Sequence, residues 1–108
     1  MGVIKIGERM VPLSVDANQW VLRSAYAAVK EERDRVVIRF KRVPATHHSE
    51  EMLALQADLC RLNAVAEILA SVINIRKAIR HLPKEEVVTD LTRPLMAVVI
   101  DNLQKRNL

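Results

Sequence analysis

The sequence predicts an α+β fold dominated by helices, and three stretches carry that prediction. Residues 50–82 run without a glycine or a proline, and their apolar side chains recur at helical spacing almost all the way round. Residues 84–106 keep a helical period through Val87, Val88, Leu91, Leu95, Val98, Val99 and Leu103. By contrast, the first fifteen residues hold short β-friendly runs around Gly7. The architecture expected is a small antiparallel β-β-α-β unit, a long helix over 49–82, and a Pro-kinked helix over 84–106.

Val3–Ile6 and Met10–Val15 flank Gly7-Glu8-Arg9, which reads as a hairpin with Gly7 at the turn's positive-φ position. Pro12 has no N–H, so the second strand ends early or lies at an edge. A helix follows. Asp16 is its expected N-cap, Gln19 completes a capping box, and Val15 with Trp20 form a hydrophobic staple. Val21, Leu22, Ala25, Ala28 and Val29 form its apolar stripe, and Lys30-Glu31-Glu32-Arg33 reads as its polar tail. Residues 35–43, RVVIRFKRV, then alternate, with Val36, Ile38 and Phe40 on one side and a largely basic opposite side. That pattern predicts a third, half-buried strand stopped by Pro44.

Ser49 is placed to cap the long helix. Glu50 and Glu51 sit where its dipole favours anions, Arg76, Lys77, Arg80 and His81 where it favours cations, and Pro83 ends it. Pro83-Lys84-Glu85-Glu86 opens the last helix. Pro94 either kinks that helix or splits it in two.

The chain of 108 residues is one domain, with 1–46 a small basic sheet plus helix and 47–108 a helical hairpin forming a dimer core. The dimer is inferred from coverage. The long helix spans about 50 Å at 1.5 Å per residue, more than the remaining elements can cover on two sides. Its first seam, Met52, Leu55, Leu59, Leu62, Ala66, Leu69 and Ile73, has coiled-coil spacing, and Met52, Leu55, Leu59, Leu62, Leu69 and Ile73 are the expected dimer interface. A second seam runs through Leu53, Ala57, Cys60, Ala64, Ile68, Val72, Ile75, Ile79 and Leu82. Gln56, Asn63, Glu67, Asn74 and His81 make a narrow polar stripe.

Charge points to a partner. The net charge is +4, and residues 1–48 carry all of the excess, with nine Lys/Arg against five Asp/Glu. Arg33, Arg35, Arg39, Lys41 and Arg42 concentrate it into one basic stretch, the expected partner-binding surface for an acidic protein or a nucleic acid. The first expectation is therefore a non-enzymatic, dimeric interaction or regulatory protein. A structural subunit or adaptor of a larger assembly is a further reading.

Chemistry finds few footholds. Two glycines cannot build a phosphate-binding loop, and the paired carboxylates Glu31/Glu32, Glu50/Glu51 and Glu85/Glu86 are adjacent and splay apart on their helices. His47, His48, Glu50 and Glu51 cluster but do not supply a metal's ligand set, so neither metal nor cofactor is expected. Cys60 on the second seam reads as a small buried hydrophobe. A lone cysteine and an uninterrupted apolar run too short to span a bilayer favour a cytoplasmic protein with no membrane partner.

Arg76 and His81 stand five positions apart. This R-x4-H spacing resembles the short motif of the HEPN helical ribonucleases, over six residues. The resemblance implies RNA cleavage at a dimer groove, with Arg76 and His81 as catalytic residues. On one helix the two lie about 140° apart, so they converge only through a local turn or a second chain. Complementation of the helix dipole is the competing account of both.

Overall fold

The computed structural model describes residues 2–44, 50–79 and 85–106. The expected cap at Ser49, the stop at Pro83, the connector histidines His47 and His48, and His81 lie outside these residues. Five elements follow in order: β1 (Ile4–Ile6), β2 (Arg9–Val11), α1 (Gln19–Arg42), α2 (Glu50–Ile79) and α3 (Glu85–Arg106). The fold is helix-dominated α+β, with a two-stranded antiparallel sheet followed by long helices. Among the described residues no helix is long and apolar enough to cross a membrane.

The hairpin pairs Ile4 with Val11, Lys5 with Met10 and Ile6 with Arg9. Gly7 takes φ 62° while Glu8 does not have a positive φ, the arrangement in which a II′ turn places glycine first. Strand alternation sends Ile4, Ile6 and Val11 into the core and leaves Lys5 and Met10 outside. β2 stops at Val11, just before Pro12.

The third strand does not form. Residues 35–42 continue α1, which is 24 residues long. Buried Leu22, Ala25, Val29, Glu32 and Val36 follow a 3-4 spacing, so the helical period never breaks. Glu32 hides it in sequence, because a carboxylate stands where the repeat needs a core residue. The β-branched Val36, Val37 and Ile38 only mildly disfavour helix, and packing against α2 outweighs that preference.

The start of α1 also differs. Asn18 is the N-cap, its side chain accepting from the Val21 N–H at 2.9 Å. Asp16 instead pairs with Arg93 at 3.0 Å. Gln19 donates to the Ile73 carbonyl at 2.9 Å rather than closing a capping box. Trp20 is 77% exposed, so it makes no staple with Val15.

α2 is the central helix. The Gln19–Ile73 bond sets α1 antiparallel to it, and the Arg76–Thr92 and Arg106–Asp58 bonds do the same for α3. The hairpin sits against α1 and α3, taking the fourth corner of the layout. The core between the corners holds Leu22, Val29 and Val36 of α1, Leu62, Val65, Leu69 and Val72 of α2, Met96, Val99 and Leu103 of α3, and Ile4, Ile6, Val11 and Leu13. Burying each such side chain contributes about 1.5–3 kcal/mol. α3 runs unbroken through Pro94, which faces solvent.

Candidate functional site

The basic residues of α1 lie on a helix rather than a strand, and this regroups them. At about 100° per residue, Arg35, Arg39 and Arg42 fall within an arc of roughly 60°. Arg33 and Lys41 stand on other sides of the helix. Arg33 is half-buried and lies 3.6 Å from Asp34. Lys41 is exposed and shares its side with Ile38.

Acidic neighbours neutralise the beginning of this stretch. The hairpin is strapped to α1 by Arg9–Glu31 at 2.7 Å and by Arg35–Glu8 at 3.5 Å. Arg35 also lies 3.7 Å from Glu32. Beyond it, no acidic side chain among the described residues pairs with Arg39, Lys41 or Arg42. Ile38, half exposed, has Asp34 and Arg35 one turn before it and Lys41 and Arg42 one turn after. Phe40 is half-buried, so the basic end of α1 presents an exposed isoleucine rather than an exposed ring.

Arg106 of α3, which sequence reading missed, anchors the same end of the fold. Its Nε donates to Asp58 Oδ1 at 2.8 Å and its Nη2 to Asp58 Oδ2 at 3.1 Å, a bidentate pair. Its Nη2 also lies 3.2 Å from Glu32 Oε1. Burial works against the guanidinium's charge, but the Asp58 bonds and the two carboxylates hold its pKa above the ordinary arginine value. Arg106, Glu32, Arg35 and Arg39 line a cleft of about 390 Å³ together with Lys5, Gly7 and Glu8 of the hairpin. No local motif could reveal this cluster, because its members come from the two ends of the chain. The detectable signal is the seven-residue spacing of Leu22, Val29, Val36 and Val43, which carries α1 past Glu32.

The seams of α2 divide. Leu62 and Leu69 of the expected interface are fully buried within one chain, and Leu55, Leu59 and Ile73 pack on the same core. Met52 is half-buried. These residues face α1 and α3, because a helix flanked by two others turns its richest apolar face to them. The first part of the second seam meets solvent: Leu53 is 68% exposed, and Ala57, Cys60 and Ala64 are exposed, whereas Val72 is fully buried and Ile68 packs on the core. Cys60 is therefore a free, exposed thiol rather than a core residue. Gln56, Asn63, Glu67 and Asn74 are exposed beside it.

Arg76 is committed to the fold. It donates through Nη1 to the Ala17 carbonyl and through Nη2 to Thr92 Oγ1 at 3.2 Å. Burial lowers its pKa, with Asp16 opposing the shift. Its guanidinium ties the start of α1 and the body of α3 to the end of α2. Comparisons with protein-family models, with curated protein sequences and with solved structures return no significant match.

Proposed function

We propose that the protein is a non-enzymatic interaction module that captures an acidic protein segment on the C-terminal half of α1. One observation carries this reading: Ile38 is half exposed, with Arg35, Lys41 and Arg42 within one turn of it against a single acid, Asp34, which Arg33 partners. An apolar anchor inside a charged rim is the anatomy of a protein–protein contact. A phosphate backbone would use the cations and gain little from the isoleucine. The complementary partner is an amphipathic segment with an apolar residue for Ile38 and carboxylates for the rim.

Binding of a synthetic acidic amphipathic peptide, compared with duplex DNA and single-stranded RNA, tests the assignment. The reading expects peptide binding that Ile38→Asp weakens by about 2 kcal/mol, the scale of an interface hot spot. Nucleic-acid binding that is indifferent to Ile38→Asp but lost on neutralising Arg39, Lys41 and Arg42 contradicts it.

The second seam of α2 supports a homodimer as the form in which the module acts. Leu53, Ala57, Cys60, Ala64, Ile68 and Ile75 of that seam, with the exposed Ser71 in place of the buried Val72, follow steps of 4, 3, 4, 4, 3 and 4, the same read from either end. Two copies laid antiparallel about Ala64 then bring Leu53 of each against Ile75 of the other, with Ala57 against Ser71 and Cys60 against Ile68 between. The basic half of α1 lies outside that contact.

A further inference from the structure

The cleft between the hairpin turn, α1 and α3 is built from charges that do not balance. Four cations line it, Lys5, Arg35, Arg39 and Arg106, against two carboxylates, Glu8 and Glu32, and Asp58 behind the cleft holds Arg106 bidentately. Glu32 forms part of its wall, with its side chain only 5% exposed, and its two oxygens are taken by Arg106 and Arg35. The Arg35 pairs, 3.7 Å to Glu32 and 3.5 Å to Glu8, are longer than the roughly 2.7–2.9 Å of a charge-assisted hydrogen bond. Glu8 is 84% exposed and can leave at little cost. Arg39, one turn along α1, pairs with no acid among the described residues.

Gly7 lets the hairpin turn pack closely onto the Glu32–Arg35 pair. A Cβ there would stand 2.2 Å from Glu32 Oε2 and 2.7 Å from Arg35 Nη1. Bare backbone thus lies directly over the Glu32–Arg35 pair.

We propose that this cleft binds the phosphate group of a small-molecule ligand. Three features select that class. Arg39, which pairs with no acid among the described residues, and Arg35, which keeps only its 3.7 Å contact with Glu32 once the exposed Glu8 swings away, offer two positive charges to a phosphate monoester, which carries about −1.5 to −2 near neutral pH. Two guanidinium forks one turn apart offer the paired N–H geometry that phosphate oxygens accept. The volume, about 390 Å³, lies in the range of small-ligand sites, and the cleft is lined by three elements. Arg35 and Arg39 are shared with the protein-partner surface, whereas Ile38 and Lys41 belong only to the partner's, so the two readings fail separately.

The test is a chemical-shift titration of the full chain at low ionic strength with inorganic phosphate, inorganic pyrophosphate, ADP and a short single-stranded RNA, each as a separate arm. The site predicts saturable shifts at Gly7, Arg35 and Arg39 with pyrophosphate or ADP. ADP binding more tightly than pyrophosphate assigns a nucleotide-like ligand, and equal affinity assigns the phosphate alone. Arg39→Ala weakens binding at least about tenfold, the loss of one charged hydrogen-bonding group. Arg39→Lys recovers part of it, and Lys41→Ala leaves it unchanged. Arg39 holds no ion pair among the described residues, so its replacement leaves the scaffold intact, and a far-UV spectrum confirms this. Linear, non-saturating shifts in every arm overturn the proposal. So does equal weakening by Lys41→Ala, or RNA affinity that rises with length while ADP does not bind.

Discussion

Arg106 of α3 and Glu32 of α1 meet at 3.2 Å across the gap between two helices that otherwise pack on α2 and the hairpin. The same guanidinium holds Asp58 of α2 bidentately, so one side chain fastens all three helices. The side chains of Arg106 and Glu32 are 15% and 5% exposed, so neither charge falls back on bulk water.

Removing Arg106 therefore leaves the buried Glu32 with only the 3.7 Å contact to Arg35 and strips Asp58 of its bidentate partner. Arg106→Ala is expected to destabilise the fold by about 3 kcal/mol, the lower end for breaking a buried pair. Glu32→Met combined with Arg106→Met should recover much of that loss, since an apolar pair is often as stable as the ion pair it replaces. Urea unfolding of the single and double variants measures both. A double variant no better than Arg106→Ala argues that the charges are needed for packing as well as for each other.

Gly7 is constrained twice, by its φ of 62° and by the Glu32 carboxylate 2.2 Å from where a Cβ would lie. Gly7→Ala is expected to cost about 1–3 kcal/mol, the range for a strained backbone position. Gly2→Ala, with nothing within 4 Å, should be neutral and serves as the control.

The cap of α1 discriminates between Asn18 and Asp16. Asn18→Ala loses the bond to the Val21 N–H and should destabilise by about 1 kcal/mol. Asp16→Ala loses only an exposed ion pair with Arg93 and should change stability by a few tenths of a kcal/mol, about the scale of surface pairs. Thermal melts of the two variants rank them. Equal losses would return the cap to Asp16.

These sites mark what the sequence could and could not disclose. The hairpin and the long helix were legible because their signals are local: Gly7 between β-friendly runs, and thirty residues of α2 without a breaker. The unity of α1 was not. Its Glu32 occupies a core position only because Arg106 and Arg35 neutralise it, and Arg106 is 74 residues away. Seen alone, Lys30–Arg33 is a polar tail, and the β-branched run after it completes the illusion of a strand. The same limit governs the site. A basic stretch is visible in sequence, but grouping Arg35 with Arg39 and Arg42, and separating Lys41 from Arg39, requires the helix.

The antiparallel dimer makes a geometric prediction at its two-fold axis. With Cys60→Ser removing the native thiol, Ala64→Cys should form an intermolecular disulfide under mild oxidation, since the proposed pairing sets Ala64 against its own copy. Ala54→Cys, off the seam, should not. Light scattering of the unmodified chain at micromolar concentration provides the companion measurement, and a monomer mass there, with no cross-link at 64, contradicts the dimer.

Recognition by the Ile38 surface is the central claim, and site-specific photocrosslinking in the native host tests it most directly. A photoreactive residue at position 38 is compared with one at Ala27, on the same exposed side of α1 but away from the basic end. The account predicts a discrete protein adduct from position 38, absent at position 27 and lost when Lys41 and Arg42 are changed to Glu. Adducts to nucleic acid at position 38, or protein adducts equal at the two positions, would contradict it.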